Sequence, residues 1–190
     1  MGWQGHSPIW VLNVNVSKSP KTLKREAIEM LENIKTRNKI YDWRVGFVIR
    51  FIEDSLSDDY WVDEDTLNTA RGRYSGLNVF MYERIAITIC NHYVKGEVCK
   101  DVSGNLVEAD RLIAQTAIDD AKAMDIVNPA NENCFDLEIR AAKKQMDMAQ
   151  DGLGKKYPQV AIRHFEQAWL RTLKAAEYAQ SEKKVCGRGR

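Results

Sequence analysis

Residues 135–149 read FDLEIRAAKKQMDMA, and their apolar members Phe135, Ile139, Ala142, Met146 and Ala149 recur at intervals of four, three, four and three. That is the repeat of one face of an α-helix. Residues 157–176, YPQVAIRHFEQAWLRTLKAA, repeat it through Ala161, Phe165, Ala168, Trp169 and Ala176. Between the two runs, Gly152 and Gly154 end the first helix, and residues 150–157 allow only a tight return. The pair is predicted to be an antiparallel helical hairpin.

The same period extends upstream. A helix from about Glu108 presents Leu112, Ile113, Ala117, Ile118 and Ala121, and Asn128-Pro129 separates it from the hairpin. Near the other end, Ser19 caps a helix with Pro20 in its first turn, and Leu23, Ala27, Met30, Leu31 and Ile34 form its stripe. A second helix from about Asp42 has Val45, Val48, Ile49, Ile52 and Leu56 on one face. Trp43, Phe47 and Phe51 form another face, so this helix reads as central. A long loop over residues 57–76, acidic at first, contains Trp61. A third helix from about Asn78 carries Val79, Tyr82, Ile85, Ala86 and Ile89 and stops near Gly96. The prediction is an all-α bundle of about six helices in antiparallel hairpins over residues 19–180, with halves at 19–96 and 107–180. Trp43, Phe47, Phe165 and Trp169 are expected in its core.

Three segments break the pattern. Residues 1–18 form an N-terminal arm in which Leu12, Val14 and Val16 alternate with Asn13 and Asn15, the period of a half-buried strand. Such an arm needs a partner for its backbone groups. Two are open: residues 97–107, read as a small hairpin or an irregular helix connection, or another chain to which the arm adds a strand. An exchanged arm would make the protein an oligomer. Residues 181–190 read as a flexible basic tail.

Composition is that of a soluble globular domain: 190 residues, 44% apolar and 29% charged, with a net charge of +1. No stretch approaches a membrane span. The balanced charge argues against nucleic-acid binding through bulk electrostatics.

Two groups of motifs carry a resemblance. Ala109-Asp110-Arg111-Leu112-Ile113-Ala114-Gln115-Thr116-Ala117-Ile118-Asp119-Asp120-Ala121 is followed by Tyr157, Ala161, Ile162, Phe165, Ala168 and Trp169. In the first half stand Phe51-Ile52-Glu53-Asp54-Ser55-Leu56 and Tyr60-Trp61-Val62-Asp63. Together they resemble helical modules of secreted and surface proteins of archaea and bacteria, among them the FIMAH domain. The resemblance covers residues 42–180 and rests mostly on packing residues. It implies an accessory module at the cell surface or outside the cell. The chain carries no signal peptide as written, which keeps a cytoplasmic location as the alternative.

Candidate chemistry is sparse. The cysteines Cys90, Cys99, Cys134 and Cys186 form no CxxC and have no histidine at metal-ligand spacing. Cys90 and Cys99 are close enough to bridge across a turn if the chain is extracellular. Otherwise Cys90 and Cys134 read as small buried hydrophobes and Cys186 as a free tail thiol. The acidic run from Glu53 to Asp65 lacks the glycine of an EF-hand and reads as a solvated loop with capping carboxylates. Cys90 and His92 are two apart on a helix and face different ways. Arg84 to His92 is too long, and Arg163-His164 too short, for the Arg–His pair of helical ribonucleases. Lys18, Lys21, Lys24 and Arg25, like the other basic clusters, lack interleaved aromatics and read as solvent-facing. Asn15-Val16-Ser17 is a glycosylation sequon that matters only on an exported chain. No catalytic residue, cofactor or metal is predicted. The expected function is a non-catalytic interaction or assembly module with a protein partner or a second copy of itself. The alternative is a small helical subunit of an intracellular complex that contacts nucleic acid.

Overall fold

The computed structural model describes residues 18–34, 36, 38–69, 73–154 and 157–186. Within them lie six helices: α1 (Pro20–Glu32), α2 (Lys39–Ser55), α3 (Arg73–Ile89), α4 (Glu97–Lys122), α5 (Glu132–Gly154) and α6 (Pro158–Gln180). Short 3-10 turns occupy Asp58–Tyr60 and Pro129–Asn131, and a π-helical turn, Cys90–Val94, ends α3. No strand occurs among the described residues; the nearest thing is a single antiparallel bridge between Trp61 and Leu67. The fold is an all-α bundle.

The caps follow from local chemistry. Thr22 donates its backbone N–H to Ser19 Oγ at 3.1 Å, and Ile40 and Tyr41 donate theirs to Asn38 Oδ1 at 3.1 and 3.2 Å. Each cap satisfies donors that a helix start leaves free. After α3, Lys95 (φ 62°) and Gly96 (φ 97°) take left-handed backbone and reverse the chain into α4.

α5 and α6 form the expected hairpin; α4 packs on α6 and α1, α2 on α3, and α3 on α6. One core runs through all of this, from Ala27 and Leu31 through Ile52, Phe80 and Leu106 to Phe165 and Trp169. The division at 96/107 is therefore no boundary in the packing. A smaller cluster of Ala121, Phe135, Ile139, Ala175 and Ala179 closes one end.

Several expectations need correction. Residues 97–107 are neither hairpin nor irregular link but the first half of α4, because Cys99, Val102, Leu106 and Val107 bury one helical face there. α3 begins at Arg73, not near Asn78. Trp43 and Phe47 are not core residues: Trp43 is 64% exposed and Phe47 38%. Phe165 and Trp169 are buried. The tail is fixed as far as Cys186. Asn131 Oδ1 accepts from the backbone N–H of Val185 and Cys186, and its Nδ2 donates to the carbonyls of Ser181 and Lys183. A Cys134–Cys186 disulfide seals it, so neither cysteine is a free thiol. Cys90 and Cys99 form a second disulfide across the Lys95-Gly96 turn, with Cα atoms 5.5 Å apart. Leu12, Val14 and Val16 lie outside the described residues, as does His6.

Glu138 ties the hairpin together. Burial pushes its carboxyl pKa up, but bonds from Lys174 (2.6 Å) and Arg171 (3.0 Å) outweigh that and hold it below the ordinary value. A depressed folded pKa gives stability that is complete above the unfolded value and fades as pH falls through the folded one. Glu138→Gln is therefore expected to melt below wild type at pH 7. The gap should begin to narrow at about pH 4, where the unfolded carboxyl takes up its proton, and close only at lower pH, once the folded carboxyl is protonated too. Melting curves of both proteins between pH 3 and 8 check this.

Candidate interaction surface

α2 is apolar on two faces, but the bundle covers only one. Val45, Val48, Ile49 and Ile52 point into the core. Trp43 and Phe47, one turn apart, are left facing solvent with ring centroids 4.7 Å apart. Phe47 leads inward to Phe51 at 6.3 Å, and Phe51 to Tyr82 of α3 at 6.2 Å. The exposed rings therefore stand on a rigid aromatic ladder.

The π-helical turn supplies the opposite wall. Tyr93, 56% exposed, lies with its ring 5.7 Å from the Arg44 guanidinium, which also donates to the Tyr93 carbonyl at 3.4 Å. Trp43, Arg44, Phe47, Ile89 and Tyr93 enclose a shallow cavity of about 270 Å³. Through Ile89 it adjoins another, of about 250 Å³, lined by Met81, Arg84 and Ile85. Ile40, exposed, extends the apolar patch beyond Trp43 along α2. Clustered exposed aromatics with an arginine beside them have the composition of interface hot spots.

A roomier cavity lies elsewhere. A groove of about 540 Å³ runs between α4 and the α5–α6 return, lined mainly by Lys100, Ser103, Val107, Leu153 and Pro158. The Ser103 hydroxyl in its wall has no hydrogen-bond partner among the described residues.

A second unusual feature is inside. Lys24 of α1, Glu83 of α3 and Asp110 of α4 are all fully buried, and the Lys24 ammonium touches the Glu83 carboxylate. The ring of Trp61 covers Lys24 Nζ at 4.4 Å from its centroid, and Trp61 Nε1 donates to the Ser55 carbonyl at 2.8 Å. Burial, and then the neighbouring Glu83 charge, push the Asp110 carboxyl well above the carboxylate range. Burial also raises Glu83, against the pull of Lys24. Lys24 is thus not on a solvent face, as its basic cluster suggested.

The remaining sequence candidates stay apart. The histidines His92 and His164 lie on different elements, His164 bonded to Gln145 at 2.7 Å. Asp63 caps its own loop through the N–H groups of Asp65 and Thr66. No group of three potential metal ligands exists among the described residues, and no described helix is long and apolar enough to cross a membrane.

The sequence reading missed Arg44 and Tyr93 as surface residues, and missed Lys24, Glu83 and Asp110 as a cluster. A signal for the cluster was present. Lys24 falls with Leu23, Ala27 and Leu31, Glu83 with Val79, Phe80, Ala86 and Ile87, and Asp110 with Leu106, Ile113 and Ala114, each in core register. Comparison of the chain with models of protein families, with curated proteins and with solved structures returns no match.

Proposed function

We propose that this chain is a non-catalytic helical interaction module, and that it holds a protein partner through the surface built from Trp43, Phe47, Arg44 and Tyr93. The observation that carries the reading is the exposure of Trp43 and Phe47 on a rigid scaffold: large aromatics left in water gain most from being covered. Two disulfides support a place in an oxidising compartment, at the cell surface or outside the cell. The resemblance of the α4–α6 motifs to accessory modules points the same way.

Trp43→Ala is expected to change folding stability by less than about 0.5 kcal/mol, since the side chain is largely solvated. Binding should respond much more. A photoreactive side chain placed at position 43 in the producing cells should give a discrete protein adduct, lost when Phe47→Ser is added. The same label at Leu137, exposed on α5, serves as control. No adduct from position 43, or the same adducts from both positions, overturns the assignment.

A further inference from the structure

The Lys24–Glu83–Asp110 cluster is costly as an ion pair. Neither Lys24 Nζ nor any carboxyl oxygen of Glu83 or Asp110 meets a partner at hydrogen-bond geometry, although Lys24 and Glu83 touch. A buried ion pair recovers its desolvation only when bonds of good geometry complete it. Here contact is present and alignment is not. Three helices instead bring into one site closed to solvent an amine, a carboxyl in contact with it and a second buried carboxyl that feels the charge of the first. Those are the groups that an amide condensation requires.

We propose that Lys24 Nζ and the Glu83 side-chain carboxyl are joined by an intramolecular isopeptide bond, with Asp110 carrying the proton. The Lys24 ammonium first gives a proton to Glu83, because a dry interior favours the neutral amine and acid over separated charges. The Nζ lone pair then attacks Glu83 Cδ, and the carbonyl electron pair moves onto oxygen. Asp110 protonates the hydroxyl oxygen of this intermediate. As the carbonyl re-forms, the C–O bond breaks, its electrons leave with water, and the Asp110 carboxylate takes one of the two protons on nitrogen, the other staying as the amide N–H. One water is released, Asp110 ends protonated as it began, and no oxidant or cofactor is consumed. Holding the groups in contact supplies the effective concentration. The Trp61 ring over Nζ keeps the site dry. The product removes both charges from the core.

The test is the mass of the full-length protein after complete reduction and denaturation. The expected mass is lower than that of the unmodified chain by one water, and proteolysis should release a branched peptide joining Lys24 to Glu83. Lys24→Met and Glu83→Ala should each show the full mass of the substituted chain. Asp110→Asn, checked for a cooperative melt so that misfolding is not the cause, should slow bond formation by roughly a hundredfold or more. A wild-type chain at full mass, a branch between any other pair of residues, or joining at an undiminished rate in Asp110→Asn overturns the proposal.

Discussion

Replacing Trp169 with alanine is expected to destabilise the protein by about 3–5 kcal/mol. For a chain of this length that lowers the melting temperature by roughly 6–20 °C. Trp169 is only 2% exposed, and its ring fills the space where α6 meets α3, with the Phe80 centroid 5.9 Å away. The same ring caps Gly76: a Cβ built there would lie 2.3 Å from Trp169. The two positions are therefore coupled, with opposite signs in two backgrounds. In the wild type, Gly76→Ala forces the indole aside and is expected to cost about 1–3 kcal/mol. In Trp169→Ala, the added methyl enters the vacated space and should cost nothing or partly restore stability. A double-mutant cycle by thermal or urea unfolding measures the coupling. Independent, additive effects would show that α3 and α6 do not meet as described.

The helices were legible because their periodicity is strong, and the misreadings have two distinct physical causes. Val98, Val102, Ser103-Gly104 and Val107 have the residue types of a strand and turn. They are helical because residues 97–107 extend a long helix whose buried face lies against α1 and α6. Packing overrides propensity there. Trp43 and Phe47 fail differently. A helix apolar on two faces announces burial, but which face is covered depends on how many helices surround it, and α2 has α3 along one side and α1 across part of another. Periodicity carries no information about that count. Trp43 and Phe47 are the residues left uncovered, so the candidate surface emerges where the core expectation goes wrong. Lys24, Glu83 and Asp110 are the converse case: charged residues in core register, legible as anomalies once the stripes are drawn.

Removing the disulfides one at a time should separate two ways in which a cross-link acts. Cys134–Cys186 spans 52 residues and Cys90–Cys99 spans 9. If each acts by restricting the unfolded chain, the longer loop contributes about 4.1 kcal/mol and the shorter about 2.6. Cys134→Ser/Cys186→Ser is then expected to lose more stability than Cys90→Ser/Cys99→Ser, by about 1.5 kcal/mol once the loop lengths are compared logarithmically. The native contacts alone would give the reverse order. Cys186 lies beyond the last helix on a tail already held by Asn131, whereas buried Cys90 and Cys99 pin the turn through Lys95 and Gly96 between two core helices. Unfolding of the two variants in urea, without reductant, decides between the accounts. A larger loss at Cys134–Cys186 means that the tail bridge works through the denatured state. A larger loss at Cys90–Cys99 means that the turn itself is under tension and needs its staple. Alkylation under mild reduction of the folded protein should follow exposure in either case, with half-buried Cys134 and Cys186 labelled before Cys90 and Cys99.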